Sequence, residues 1–313
     1  MVKFKDLLGN FDPFPYVDFR TKLSKEYKKI GKCTYRGSDG ELYDSRNILN
    51  NLSGRKWTYF LSSVEVTSYP VSGPESYCHE LRRLHPSPKP PQLMKKIIEF
   101  FTKEGGWVLD PFMGVGGTLL GASLCRRNAV GIEICEKYIE TYKMVTRKLR
   151  LKEQIAICDD ARNIPQIFEG IGEFFHLILT DPPYCNMQAR PKTGAYGKRK
   201  GRKPTPFTND PRDLGNLDYE EYLKELKRII SYAIRYLKRG KYLVLFIKDL
   251  QPTRKHHNML HADVVETLLE IKGLEFRGYK IWFDKTQTLY PYGYPFDYVS
   301  NQLHQFILIF KKI

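Results

Sequence analysis

The sequence predicts an α/β protein with a doubly wound, mainly parallel sheet and an antiparallel edge. Short apolar runs recur along the chain (WVLD, AVGIEI, QIAIC, HLILT, YLVLFI), and stretches with helical spacing separate them. The last two runs, YKIWF and HQFILIF, follow one another without an intervening helix, which marks the antiparallel edge. Residues 1–75 lack a long periodicity. There the polar signals of NILNNLSGRK give way to an aromatic, β-branched run, WTYFLSSVEV, suited to a strand. Over 91–103, Leu93, Ile97, Ile98 and Phe101 fall at helical spacing, and Pro90 and Pro91 mark the start. WVLDPF is then a short buried strand, a helix follows from Thr118, and AVGIEI is the second strand. YIETYKMVTRKLRL reads as a helix, QIAICDDA as the third strand and HLILTDPPY as the fourth, ending in a rigid turn. After an insertion come a helix from about Asp218 to Lys238, the strand KYLVLFIKD and the helix ADVVETLLEIKG.

The composition narrows the functional classes. With 42% hydrophobic and 27% charged residues, the 313-residue chain can bury a core, so global disorder is excluded. No run approaches the ~18 consecutive apolar residues of a membrane span, and MVKFKDLLGNF is no apolar signal segment. A soluble, intracellular protein is expected. Its six cysteines form no CxxC pair, which fits a reducing compartment and disfavours a zinc cluster. Lys and Arg exceed Asp and Glu by 51 to 35, a net charge of +16 that favours a polyanionic partner, most commonly nucleic acid. The excess is uneven. Arg20–Arg36 is basic apart from Glu26, and suits DNA contact and a solvated surface equally. RPKTGAYGKRKGRK carries seven basic residues (Arg190, Lys192, Lys198, Arg199, Lys200, Arg202, Lys203) and no acid, and its glycines and proline rule out a simple charged helix face.

In a doubly wound sheet, ligands bind at the carboxyl ends of the strands, and the informative residues lie there. Asp110-Pro111-Phe112-Met113-Gly114-Val115-Gly116-Gly117-Thr118 follows a strand and opens a helix, where glycines permit close approach of a nucleotide-like ligand. A dinucleotide fingerprint would need glycine at 119, which is Leu. A carboxylate ahead of the glycines suits a sulfonium and an ammonium, whereas it would repel phosphate. Glu133, 23 residues later, ends the second strand where an acid can accept ribose hydroxyls. Asp159 or Asp160 ends the third, placed for an adenine amino group. Together these positions point to S-adenosylmethionine.

Asp181-Pro182-Pro183-Tyr184 closes the fourth strand and is the most specific signal. An exocyclic amine is a poor nucleophile because its lone pair is delocalised into the ring. The Asp181 carboxylate and the Pro182 carbonyl can take its two N–H bonds, turn the lone pair toward a methyl donor and stabilise the developing positive charge. Two prolines fix φ and preorganise these acceptors, and Tyr184 offers a ring on which an extruded base can stack.

With these residues in place, the chain resembles the amino-group DNA methyltransferases, the adenine-N6 and cytosine-N4 enzymes, over most of 78–312. LHPSPKPPQLMKKII looks like the family's segment against the methionine part of the cofactor, which implies Lys89 and Pro90 as cofactor residues. YPYGYPFDYVSNQLHQFILIF resembles its late base-pocket loop and closing strand. Val115 and Gly117 stand where the family usually has Ser and Thr. The resemblance implies a Rossmann-like methyltransferase domain over 78–313, with a basic insertion over 186–216 and an accessory DNA-recognition region over 1–77. It also implies DNA as partner, a cognate restriction endonuclease beside it, no membrane and a cytoplasmic location. Asp before Pro-Pro is typical of adenine-N6 enzymes, while the YGYPFDYVSN loop is similar to proteins carrying the Ser-type, cytosine-N4 motif. An RNA guanine-N2 methyltransferase and a non-catalytic DNA-binding subunit are the other readings. The former usually carries a sizeable N-terminal RNA-binding domain, and intact Asp110, Glu133 and Asp181 argue against the latter.

Tyr290, Tyr292, Tyr294, Phe296 and Tyr298 alternate with Pro291, Gly293 and Pro295, which forbid a regular strand. Stacking on bases and plugging the sheet explain this loop equally well. His256, His257 and His261 lack a supporting carboxylate pattern, and methyl transfer needs no metal, so no metal site is expected. The insertion from Asn186 should overhang the catalytic pocket, move freely without DNA and bind phosphates. Neutralising Lys198, Arg199, Lys200, Arg202 and Lys203 together should weaken DNA binding. The slope of log K against log salt should flatten by about 0.9 for each phosphate no longer neutralised; a titration from low to high salt measures both.

Overall fold

The computed structural model describes residues 2–185, 206–252 and 257–313. The chain opens with α1 (Phe4–Gly9) and α2 (Phe19–Glu26). A small antiparallel sheet of β1 (Lys28–Lys29), β2 (Thr34–Arg36) and β3 (Leu42–Asp44) follows, then α3 (Gly54–Phe60) and β4 (Val64–Thr67). Next come α4 (His79–Arg82), α5 (Pro91–Phe101), β5 (Trp107–Asp110), α6 (Gly117–Leu124), β6 (Asn128–Glu133), α7 (Glu136–Leu149) and β7 (Ile155–Cys158). The last third holds α8 (Ile164–Ile167), β8 (Phe175–Thr180), α9 (Tyr219–Ile234), β9 (Leu237–Ile247), α10 (Leu260–Leu269), β10 (Leu274–Asp284) and β11 (Gln305–Lys312). No helix among the described residues is long and apolar enough to cross a membrane.

Eight strands form the main sheet in the order β4-β10-β11-β9-β8-β5-β6-β7. β5 to β9 run parallel, and β11 is antiparallel to both its neighbours. The sheet is doubly wound because its strands are apolar on both sides. Leu109, Ile132, Ile178, Leu243 and Leu245 pack on one face with α9 and α10. Val108, Leu177, Leu179, Val244 and Phe246 pack on the other with α5, α6 and α7.

Two expectations are corrected. The final strand pair does not form the edge: β11 lies inside the sheet, and β10 pairs in parallel with β4 from the N-terminal region. Side chains hold this junction. The buried Lys280 ammonium donates to the Phe60 carbonyl at 2.5 Å and to the Ser62 carbonyl, and Trp282 Nε1 donates to Thr67 Oγ1 at 2.9 Å. The aromatic run at 57–60 is also helical rather than extended. Ser53 caps α3 by accepting the Lys56 N–H, and Phe60 stacks on Phe100 with centroids 3.8 Å apart. Tertiary packing and a cap thus override β-propensity, and the strand begins only at Val64.

The parallel strands bring Asp110, Glu133, Cys158 and Thr180 to one edge of the sheet. From β5 the chain builds outward through β6 and β7, then returns to β8 on the other side of β5. The loops leaving β5 and β8 therefore diverge and open a crevice at the switch point. One wall is the segment between α4 and α5, tied down by Arg82. That side chain is buried, and its guanidinium donates to the carbonyls of Tyr77 (2.9 Å), Lys89 (3.0 Å) and Ser76 (3.1 Å). Burial pulls its pKa down to about 10, which still leaves it charged at neutral pH. Arg82→Met strands these acceptors, so we expect a loss of roughly 2–4 kcal/mol, read as a lower urea midpoint at unchanged m-value.

Candidate active site

The crevice holds a cavity of about 260 Å³ bordered by residues from every carboxyl-edge turn: Pro111, Phe112 and Gly114 after β5, Glu133 after β6, Asp159 and Asp160 after β7, and Asp181 to Tyr184 after β8. Beside it lies a hollow of about 20 Å³ bordered by Lys89, Asp110, Gly117, Thr118 and Asp181. Asp110 accepts from Thr180 Oγ1 at 2.7 Å and from the Phe112 N–H at 3.1 Å, which locks the ends of β5 and β8 together. Burial raises its pKa to about 6.

The glycine turn divides its work. Gly114 has φ +50° and borders both hollows, and a Cβ there would sit 3.2 Å from the His85 ring. Gly116 borders neither. A Cβ on it would fall 2.2 Å from the Tyr142 ring, so its missing side chain serves helix packing. At Gly117 a Cβ would press the Lys89 carbonyl at 2.9 Å. Pro90 caps the start of α5 and borders neither hollow.

Glu133 accepts the N–H groups of Gly114 and Cys135, each at 2.9 Å, one on each oxygen. Burial raises its pKa to about 7, against these two bonds, and the nearby Asp213 and Asp110 add to the rise. The two third-strand acids differ. Asp160 is paired with Arg162 at 3.1 Å, whereas Asp159 Oδ1 accepts from the Asp160 N–H and from Asn163, both at 2.7 Å. No described residue bonds Asp159 Oδ2, and both acids border the cavity.

The Asp181-Pro182-Pro183-Tyr184 corner faces the cavity, with all four residues in its wall. Asp181 is held from two directions. Lys89 Nζ lies 2.5 Å from Oδ2, and the Tyr184 hydroxyl donates to Oδ1. Tyr184 is itself buried, its hydroxyl 3.1 Å from the Gln305 side-chain amide, and burial followed by the Asp181 charge pushes its pKa far up. Lys89, expected beside the methionine part of a cofactor, thus borders that hollow but sends its ammonium to the carboxylate.

Sequence reasoning missed several wall residues. His85 packs edge-on to Tyr138 at 4.9 Å and against Phe207 at 5.0 Å. Burial, then the nearby Lys89 charge, pulls its pKa down to about 3, so the ring is neutral. It sits within the LHPSPKPP segment, four residues before Lys89. Phe207, Thr208, Arg212 and Asp213 come from the end of the insertion, and Tyr138 Oη donates to the Phe207 carbonyl at 2.6 Å. No local pattern could have found them.

The expected phosphate contacts Arg190, Lys192, Lys198, Arg199, Lys200, Arg202 and Lys203 lie outside the described residues, as does His256. His261 pairs with Asp249 at 2.8 Å and stacks on Phe306. In the aromatic loop, Tyr294, Phe296 and Tyr298 are 80%, 92% and 87% exposed, so these rings do not plug the sheet. Gln287 and Gln305, on either side of that loop, border the cavity.

A family model for DNA methylases of the N6/N4 type matches residues 21–144 and 175–313. The tRNA (guanine(10)-N2)-dimethyltransferase of Pyrococcus abyssi is 34% identical over 142 residues, covering 42% of this chain and 41% of that protein. Its namesake from Methanocaldococcus jannaschii is 27% identical over 209 residues, 58% of each chain. The Type II methyltransferase M.HpaI of Haemophilus parainfluenzae is 39% identical over 67 residues, 21% of each. These matches span less than two thirds of each relative's length.

Proposed function

The chain belongs to the N6/N4 DNA methylase family, and from that premise we propose that it is a site-specific DNA methyltransferase acting on an extruded base, with adenine N6 as the acceptor. The observation that carries this reading is the Asp181-Pro182-Pro183-Tyr184 corner, which faces a cavity of about 260 Å³ beside the glycine turn. Asp before the prolines favours adenine, and cytosine N4 is the alternative that the YGYPFDYVSN loop pattern supports. A guanine-N2 RNA substrate is the second reading, favoured by the names of two archaeal relatives. The first reading places the enzyme in the cytoplasm, with a cognate restriction endonuclease as partner.

S-adenosylmethionine is the cofactor, and it supplies an electron-poor methyl group on a sulfonium. The residues present fit it. Gly114 takes a positive φ of +50° with a Cβ there crowding His85 at 3.2 Å, Asp110 offers a buried counter-charge, and Glu133 keeps acceptor capacity for ribose hydroxyls beyond its two backbone bonds. Asp159 is the acid with an oxygen to spare for an adenine amino group. Phe112 and Pro183 give the cavity apolar walls. Asp181 accepts one N–H of the target amine and the Pro182 carbonyl the other, which directs the nitrogen lone pair and stabilises the cation that forms on it. The amine then loses a proton to the solvent side, and no covalent bond to the protein is required.

Incubating DNA and tRNA with labelled methyl donor, followed by nucleoside mass spectrometry, decides among the substrates. N6-methyladenine in DNA is the expected product; N4-methylcytosine or N2-methylguanine would each install a rival reading. Asp181→Ala should cut transfer by at least about a hundredfold while the cofactor Kd stays nearly constant.

Glu133 adds a pH signature. Its raised pKa means that the acceptor carboxylate is complete only above about pH 7. Cofactor affinity should therefore be flat at higher pH and weaken toward about tenfold per unit as pH falls below 7. Asp110, titrating near 6, should steepen that loss. Calorimetry across pH reads this directly, and Glu133→Gln should bind more weakly with the dependence near 7 removed.

A further inference from the structure

We propose that Lys89 is a positioning residue that sets the catalytic carboxylate of Asp181 from behind, a role that rests on the methyl-transfer reading above. Resemblance alone would make Lys89 a cofactor contact. The geometry points elsewhere. The Lys89 side chain is 4% exposed, with Nζ 2.5 Å from Asp181 Oδ2 and 3.4 Å from the Tyr184 hydroxyl. Three rings surround the ammonium, with centroids at 5.3 Å (Phe246), 5.8 Å (Tyr184) and 5.8 Å (Trp282). A cation taken this far out of water is tolerable only with a carboxylate and aromatic faces around it, and all are present.

Which side the ammonium occupies decides its role. Lys89 borders the hollow of about 20 Å³ but not the cavity of about 260 Å³, whereas Asp181 borders both. The carboxylate is therefore gripped on the side away from the larger cavity, and its remaining acceptor capacity opens on the side where a base would enter. Charge developing on a target amine meets the carboxylate first and the ammonium only behind it, so attraction outweighs repulsion. The backbone beneath Lys89 is fixed as well: Arg82 holds its carbonyl at 3.0 Å, and Gly117 passes too close to admit a Cβ. Lys89 is thus anchored at both ends, with Asp181 as its load.

The test separates this role from a cofactor contact. Lys89→Met should lower single-turnover methyl transfer to DNA by at least about a hundredfold, with the S-adenosylmethionine Kd by calorimetry within about threefold of wild type. Lys89→Arg, which keeps the cation, should retain transfer to within about tenfold. In an Asp181→Asn background, where no anion remains to be held, adding Lys89→Met should cost less than about threefold more. A Kd that weakens in step with the rate would make Lys89 a cofactor residue and overturn the proposal. So would a full hundredfold loss in the Asp181→Asn background, or a Lys89→Arg enzyme as slow as Lys89→Met. Should Lys89→Met fail to fold, the Lys89→Arg enzyme decides the matter. Absence of transfer by the wild-type enzyme would sink the methyl-transfer reading instead, and cofactor binding by the variants would still report whether Lys89 touches the cofactor.

Discussion

Two parallel strands lying side by side, whose loops leave in opposite directions, are the constraint on which the rest of this molecule depends. β5 and β8 are neighbours, yet their continuations feed opposite faces of the sheet. The crevice opens where those continuations part, and the end of the segment that follows β8 supplies part of its wall. The ends of both strands meet beneath it, where the buried Asp110 and Thr180 are joined by a 2.7 Å hydrogen bond. That bond fixes how far apart the glycine turn and the Asp-Pro-Pro-Tyr corner stand, so two segments 71 residues apart in sequence (Asp110 and Asp181) act as one surface.

A concentration of acid follows from that geometry. Asp110, Glu133, Asp181 and Asp213 all border the crevice system. Burial makes each harder to ionise and the neighbouring acids add a smaller repulsion, which raises the pKa of Asp110 to about 6 and that of Glu133 to about 7. Asp181 is given the buried Lys89 ammonium, while Asp160 on the same cavity has the less buried Arg162. Under the proposed reaction, the acids assigned to the cofactor are left to be completed on binding, whereas Asp181, assigned to the reacting group, is completed beforehand.

Much of this was legible in the sequence, for a physical reason. The strand-then-turn signatures around Asp110, Glu133 and Asp181 are local, and parallel topology alone brings local strand ends together. The alternation of apolar runs and helices likewise gave the doubly wound sheet. Contacts between distant segments were not legible. Nothing near Lys89 announces a carboxylate 92 residues away, and nothing near Phe207 announces His85. The place of β4 was missed because its neighbours at 57–60 look extended by composition, whereas Ser53 and Phe100 make them helical. Gly116 shows the converse failure, a motif glycine whose absent side chain answers to Tyr142.

The seating of β4 against β10 bears on how the chain can be cut. Trimming to the methyltransferase domain expected over 78–313, although the family match reaches back to residue 21, would strip away Val64–Thr67 and bare the main-chain donors and acceptors along Ile281–Asp284 that face it. Such a raw border invites other chains to add themselves, strand upon strand. It would also orphan the Lys280 ammonium, whose carbonyl partners belong to Phe60 and Ser62. A shortened version would thus be prone to clump for reasons unrelated to its chemistry, and the N-terminal segment is in effect a hem stitched to the fabric it borders.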